Sequence, residues 1–126
     1  MIKEEATPLV VDLAKGLVSL VRDVAPDWRK AFLRICVRDA VSEAKASYVH
    51  ERGVDIVDVL KHKDFFHAVT AQGRALLAIV GKPEGLFLLV VDSALDYEIK
   101  FEHKDMSKWA ISKMRGGTGV PEGLDR

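Results

Sequence analysis

The chain has 126 residues, 48% of them hydrophobic, with Lys plus Arg and Asp plus Glu each numbering 19. That length predicts one domain able to bury its own core, and that apolar content excludes a disordered chain. A formal charge of zero removes the basic excess that generic nucleic-acid or anionic-membrane binding requires.

Thr7-Pro8 reads as a helix start, Thr7 capping an orphan N–H and Pro8 fitting the first turn. Leu9, Leu13, Leu17, Leu20 and Val24 then recur at helical spacing, and Pro26 ends a helix predicted over 8–24. In "DWRKAFLRICVRD", Leu33, Ile35 and Val37 alternate with Phe32, Arg34, Cys36 and Arg38, predicting a strand over 30–38. "AVSEAKASYVHERG" gives a second strand, with the turn placed at 39–42. "VDIVDVL" fits a short third strand or the lead into a helix.

"DFFHAVTAQGRALLAIVGKP" predicts a second helix with Phe66, Val69, Gly73, Leu76, Leu77 and Val80 on one face. Gly81 suits its left-handed terminus, and Pro83 lies just beyond. Gly73 costs about 1 kcal/mol against alanine, so a close approach to the sheet is expected there. "FLLVVDSALDYEIKFEH" predicts a hairpin of 87–92 with 97–102. Its first arm is apolar on both faces and belongs inside the sheet. Its second alternates and belongs further out, one face on the helices and one in water. Met106, Trp109, Ala110 and Met114 suggest a last short helix, though "WAISK" also fits a strand, and 116–126 a mobile Gly/Pro-rich tail.

The order α-β-β-(β)-α-β-β-α predicts an α+β domain over 1–115: one mostly antiparallel sheet of four to five strands, helices on one face. Its outer face must then be used or covered. No signal peptide is expected from "MIKEEATP", and no apolar run approaches a membrane span, so the expected compartment is the cytoplasm.

Candidate chemistry is sparse. Glu98 and Lys100 share a sheet face and, with Asp92, resemble half of a metal-dependent nuclease site. The simpler reading is a solvated ion pair worth roughly 0.2–1 kcal/mol. His62 and His67 sit about 140° apart on a helix, unsuited to share a metal, and His50 and His103 have no cysteine set to join. Cys36 lies between Arg34 and Arg38 in an apolar run and reads as a core residue. Trp28 and Trp109 read as staples of helix ends to the sheet. Neither a metal nor a cofactor is expected.

Charge is unevenly distributed. Residues 29–38 hold Arg29, Lys30, Arg34 and Arg38 and no acid, whereas 92–105 holds five acids against two lysines. Either end suits a complementary protein partner if the two lie apart.

"PDWRKAFLRI", "ASYVHERG" and the terminal hairpin leading into "KDMSKW", spread over 9–109, resemble the YezG-like immunity proteins. That resemblance implies an inhibitor that binds a cognate bacterial toxin, often a nuclease, and occludes its active site without doing chemistry. The chain departs from the strongly acidic balance many such inhibitors show, so a focused acidic patch is implied. The charged side of the hairpin, Asp96, Glu98, Lys100 and Glu102, is the expected interface. A homodimeric secretion chaperone and a small nuclease are the alternatives, and monomer and homodimer both stay open.

Overall fold

The computed structural model describes residues 4–124. Two helices and five strands follow the order α1 (Thr7–Val24), β1 (Lys30–Arg38), β2 (Val41–His50), β3 (Gly53–Ile56), α2 (Lys63–Ile79), β4 (Gly85–Asp92) and β5 (Tyr97–Glu102). The strands form one antiparallel sheet in the order β3-β2-β1-β4-β5. The fold is α+β, with both helices on one face.

The sequence explains the order. Strand β1 is buried along seven consecutive residues and β4 along its first five, as strands covered on both faces must be. They lie side by side in the sheet interior. Strand β5 is half-covered and takes the edge, while short β3 takes the other. The β1–β2 turn is tighter than the sequence predicts. Asp39 and Ala40 alone make it, both with positive φ (52° and 64°), the signature of a type I′ hairpin.

The helix face is closed by periodicity. Leu13, Leu17 and Val21 of α1 and Phe66, Val69, Leu76 and Leu77 of α2 meet Leu33, Ile35, Phe87 and Leu89 of the sheet. The expected approach at Gly73 is present: a Cβ there would stand 2.7 Å from Ile35 Cδ1 and 2.9 Å from Ile35 Cγ2. Trp28 is buried in the same core just before β1. Thr7 is not the cap of α1. Ala6 takes that position after a single 3-10 turn, and no side chain caps it.

The opposite face departs from expectation. Residues 105–115 form no α-helix; turns, an extended stretch and one 3-10 turn (Met114–Gly116) replace it. This segment crosses the sheet and buries Trp109 and Ile111 against Phe32, Cys36, Leu86 and Leu88. The predicted tail continues the crossing over its described part, where Val120 and Leu124 pack on the same cluster; 125–126 lie outside the described residues. The outer face is therefore covered by an irregular strap.

Candidate partner-binding surface

The strap explains most of the polar residues on the outer face. Arg34 sits in the central strand with its side chain 7% exposed. Its Nε donates to the Lys108 carbonyl at 2.9 Å, and one Nη donates to the Met106 carbonyl at 2.6 Å. The other Nη lies 3.5 Å from Glu43 Oε1. Lys45 Nζ reaches the Ile111 carbonyl at 3.4 Å, and the buried Ser47 hydroxyl donates to the Gly119 carbonyl at 2.7 Å. A helix over 105–115 would have kept the Met106, Lys108 and Ile111 carbonyls for its own ladder. Arg34 takes two of them, and Trp109, the residue after Lys108, adopts a left-handed φ of 58°. Gly119 fits where a Cβ would meet Val54 at 2.9 Å.

The expected interface residues separate. Glu102 is 18% exposed. Its carboxylate accepts from the N–H groups of His103, Lys104 and Asp105 and from Lys108 Nζ. Those backbone bonds, with the Lys108 bond behind them, hold its pKa down to about 2. Glu102 is thus the anchor from which the strap leaves the sheet. Glu98 and Lys100 pair with each other at 3.3 Å, Glu98 exposed and Lys100 partly buried. Asp96 lies at the exposed hairpin turn.

The remaining candidates have local roles. Asp92 Oδ1 accepts from the N–H groups of Ala94 and Asp96, which builds the hairpin turn. Among the described residues no group of three His, Cys, Asp or Glu side chains is placed to hold a metal. Cys36 is buried against the strap. His50 Nδ1 accepts from Arg52 N–H, which leaves Nε2 to donate to Asp55 at 2.9 Å. Strand β4 separates the basic strand from β5, but the acid-rich segment begins beside the basic one: Asp92 lies opposite Lys30 in the β1–β4 register. Arg34 is nevertheless withdrawn from the surface by the strap.

A feature that sequence patterns do not single out lies at the other side of the hairpin. A groove of about 480 Å³ runs between α1 and the hairpin. Val11, Ala14, Val18 and Val91 supply apolar walls, and Lys15, Arg22 and Asp23 supply charge. Leu95 and Tyr97 line it from the hairpin while remaining 52% and 47% exposed. Leu95 is held outward by a left-handed φ of 70°, closing the turn with its N–H on the Asp92 carbonyl at 2.9 Å. Its signal in sequence is a leucine inside the turn "SALD", where a polar residue is ordinary.

Compared with known proteins, the sequence matches no family model and no curated protein. No described helix is long and apolar enough to cross a membrane.

Proposed function

We propose that this protein acts by binding another protein, as a cytoplasmic immunity protein that neutralises a cognate bacterial toxin by occluding its active site. The observation that carries the binding role is the groove beside α1. It places two exposed apolar side chains, Leu95 and Tyr97, beside Lys15, Arg22 and Asp23. An apolar anchor ringed by charge is the usual anatomy of a tight inhibitor interface. Asp96 and the Glu98–Lys100 pair frame its hairpin side. Glu102 leaves the set, because its carboxylate is already bonded within the chain.

The toxin assignment rests on the resemblance of "PDWRKAFLRI", "ASYVHERG" and the hairpin to the immunity family. Its test is growth protection. Cells expressing the product of the neighbouring gene should survive when this chain is co-expressed. Leu95→Asp and Arg22→Glu should abolish survival without altering the circular dichroism of the purified protein. Absence of protection by the unmodified chain would end the toxin reading.

The apolar groove also favours the chaperone reading, which needs an exposed apolar channel. Calorimetry separates the two: a chaperone binds an unfolded effector segment, whereas an inhibitor binds only the folded toxin.

A further inference from the structure

Strand β5 is six residues long and ends the sheet, so one of its sides faces no strand among the described residues. The phase of its main chain is fixed by the turn. Asp92 N–H donates to the Asp96 carbonyl at 3.0 Å. Bonding direction alternates along an antiparallel strand. Glu98, Lys100 and Glu102 therefore turn their main-chain groups toward β4, opposite Val90, Leu88 and Leu86. Tyr97, Ile99 and Phe101 turn theirs outward. An outward row of N–H and C=O groups is a template for another strand.

The side chains of this edge are complementary to themselves. Centred on Ile99, the outward row reads the same in both directions: Tyr97 and Phe101 are equidistant from it, both aromatic. On the other face, Glu98 and Lys100 are equidistant from it with opposite charge. We propose that β5 pairs antiparallel with β5 of a second copy of this chain, about a two-fold axis through Ile99, joining two sheets into one. In that register Ile99 faces Ile99 of the second copy, and Tyr97 faces Phe101. Glu98 faces Lys100 twice, by symmetry. The residues whose main-chain groups point outward are those that the register places opposite one another for hydrogen bonding. Backbone phase and side-chain charge thus select the same axis.

The ends do not oppose this pairing strongly. Asp96 comes opposite Glu102, whose carboxylate is already satisfied by three N–H groups and Lys108. The half-exposed Tyr97 gains an aromatic neighbour across the axis. A short edge gives a small interface, so the association depends on protein concentration.

The test uses the purified chain alone, and its outcome is independent of the toxin reading. Sedimentation equilibrium across a concentration series should fit a monomer–dimer equilibrium. Glu98→Lys should weaken the dimer about tenfold, since it sets lysine against lysine at both symmetric positions. Lys100→Glu should weaken it to a similar degree. Combining the two restores every opposition and should restore the dimer. The register has its own readout. Glu98 and Lys100 form a non-hydrogen-bonded pair across the axis, the closely spaced kind. Under mild oxidation, a mixture of E98C and K100C chains should yield a disulfide-linked dimer, and neither variant alone should do so. A monomer at every concentration would overturn the proposal. So would a dimer that E98K leaves unchanged, or cross-linking of E98C with itself.

Discussion

On the helix face, Leu33, Ile35, Phe87 and Leu89 meet two regular helices whose apolar residues recur every three or four positions. On the strap face, Phe32, Cys36, Leu86 and Leu88 meet a segment of turns, an extended stretch and one 3-10 turn. Both faces exclude water, but by different means. The helices satisfy their own main chains and need only apolar contact with the sheet. The strap makes only scattered main-chain bonds of its own, such as Gly119 N–H to the Ser112 carbonyl and Glu122 N–H to the Ala110 carbonyl, so the sheet supplies donors to carbonyls left over. Arg34, Lys45 and Ser47 do so, each to a strap carbonyl. An irregular covering therefore calls for polar residues inside a sheet face, and a helical covering does not.

The largest effects belong to the helix face. Phe87 is fully buried there, beside Ile35 and Gly73. Phe87→Ala should lower stability by roughly 3–5 kcal/mol, from lost burial and an unfilled cavity. Urea denaturation should show one transition moved to lower midpoint, with near-UV and far-UV signals changing together. A helix-face truncation that loosens only the strap would contradict this division of roles.

Arg34→Met should have a smaller and more local effect. It removes the donors of the Met106 and Lys108 carbonyls while keeping the bulk of the side chain. The expected cost is about 1–3 kcal/mol. Hydrogen exchange should accelerate over 105–124 and stay slow in α1 and α2. Parallel acceleration in α1 would mean that strap and helices unfold as one unit.

The contrast also explains what can be read in advance. Helix α2 is legible because Phe66, Val69, Gly73, Leu76 and Leu77 repeat with the helical period, and the structure buries those five. Strand β1 is legible from its alternation, and its 30–38 bounds hold. The strap is not legible. Met106, Trp109, Ala110 and Met114 have helical spacing, but the deciding partner, Arg34, is more than 70 residues away. Alternation places Glu43, Lys45 and Ser47 on one side of β2 and leaves open what that side meets. Likewise Glu102 looks like one of four equivalent hairpin charges, since spacing records which face a side chain takes and not which N–H groups lie beneath it. The groove depends on how α1 lies over the hairpin, which no local pattern encodes.

Ala40→Gly bears on both faces equally. Ala40 is held at φ 64° in the β1–β2 turn, where glycine is unstrained and alanine is not. Strands β1 and β2 each contribute side chains to the helix core and to the strap. The substitution should stabilise the protein by about 0.5–1 kcal/mol, and exchange should slow at both faces together. A change confined to one face would mean that the strands respond to their coverings independently.

The smallest effect is expected at the strap's anchor, and acid isolates it. Glu102 titrates near pH 4.5 when unstructured, and at about 2 in the folded protein. A depressed carboxylate stabilises the fold above its unfolded pKa, and that contribution fades as pH falls through the folded value. The Glu102 contribution is thus complete above pH 4.5 and lost between pH 4.5 and about 2. Asp105 is shifted in the same direction by its bonds to Ser107, first through the hydroxyl and then through the N–H. Amide resonances of 103–105 should therefore move as pH falls toward about 2, and that of Ser107 should follow the separate titration of Asp105, before those of α1 and α2 change. In Glu102→Gln, whose side chain still accepts hydrogen bonds but carries no charge, the shift of 103–105 should disappear while that of Ser107 persists. If this substitution leaves the titration of 103–105 intact, another acid anchors the strap, and the link between the Glu102 carboxylate and the covering of the outer face is broken.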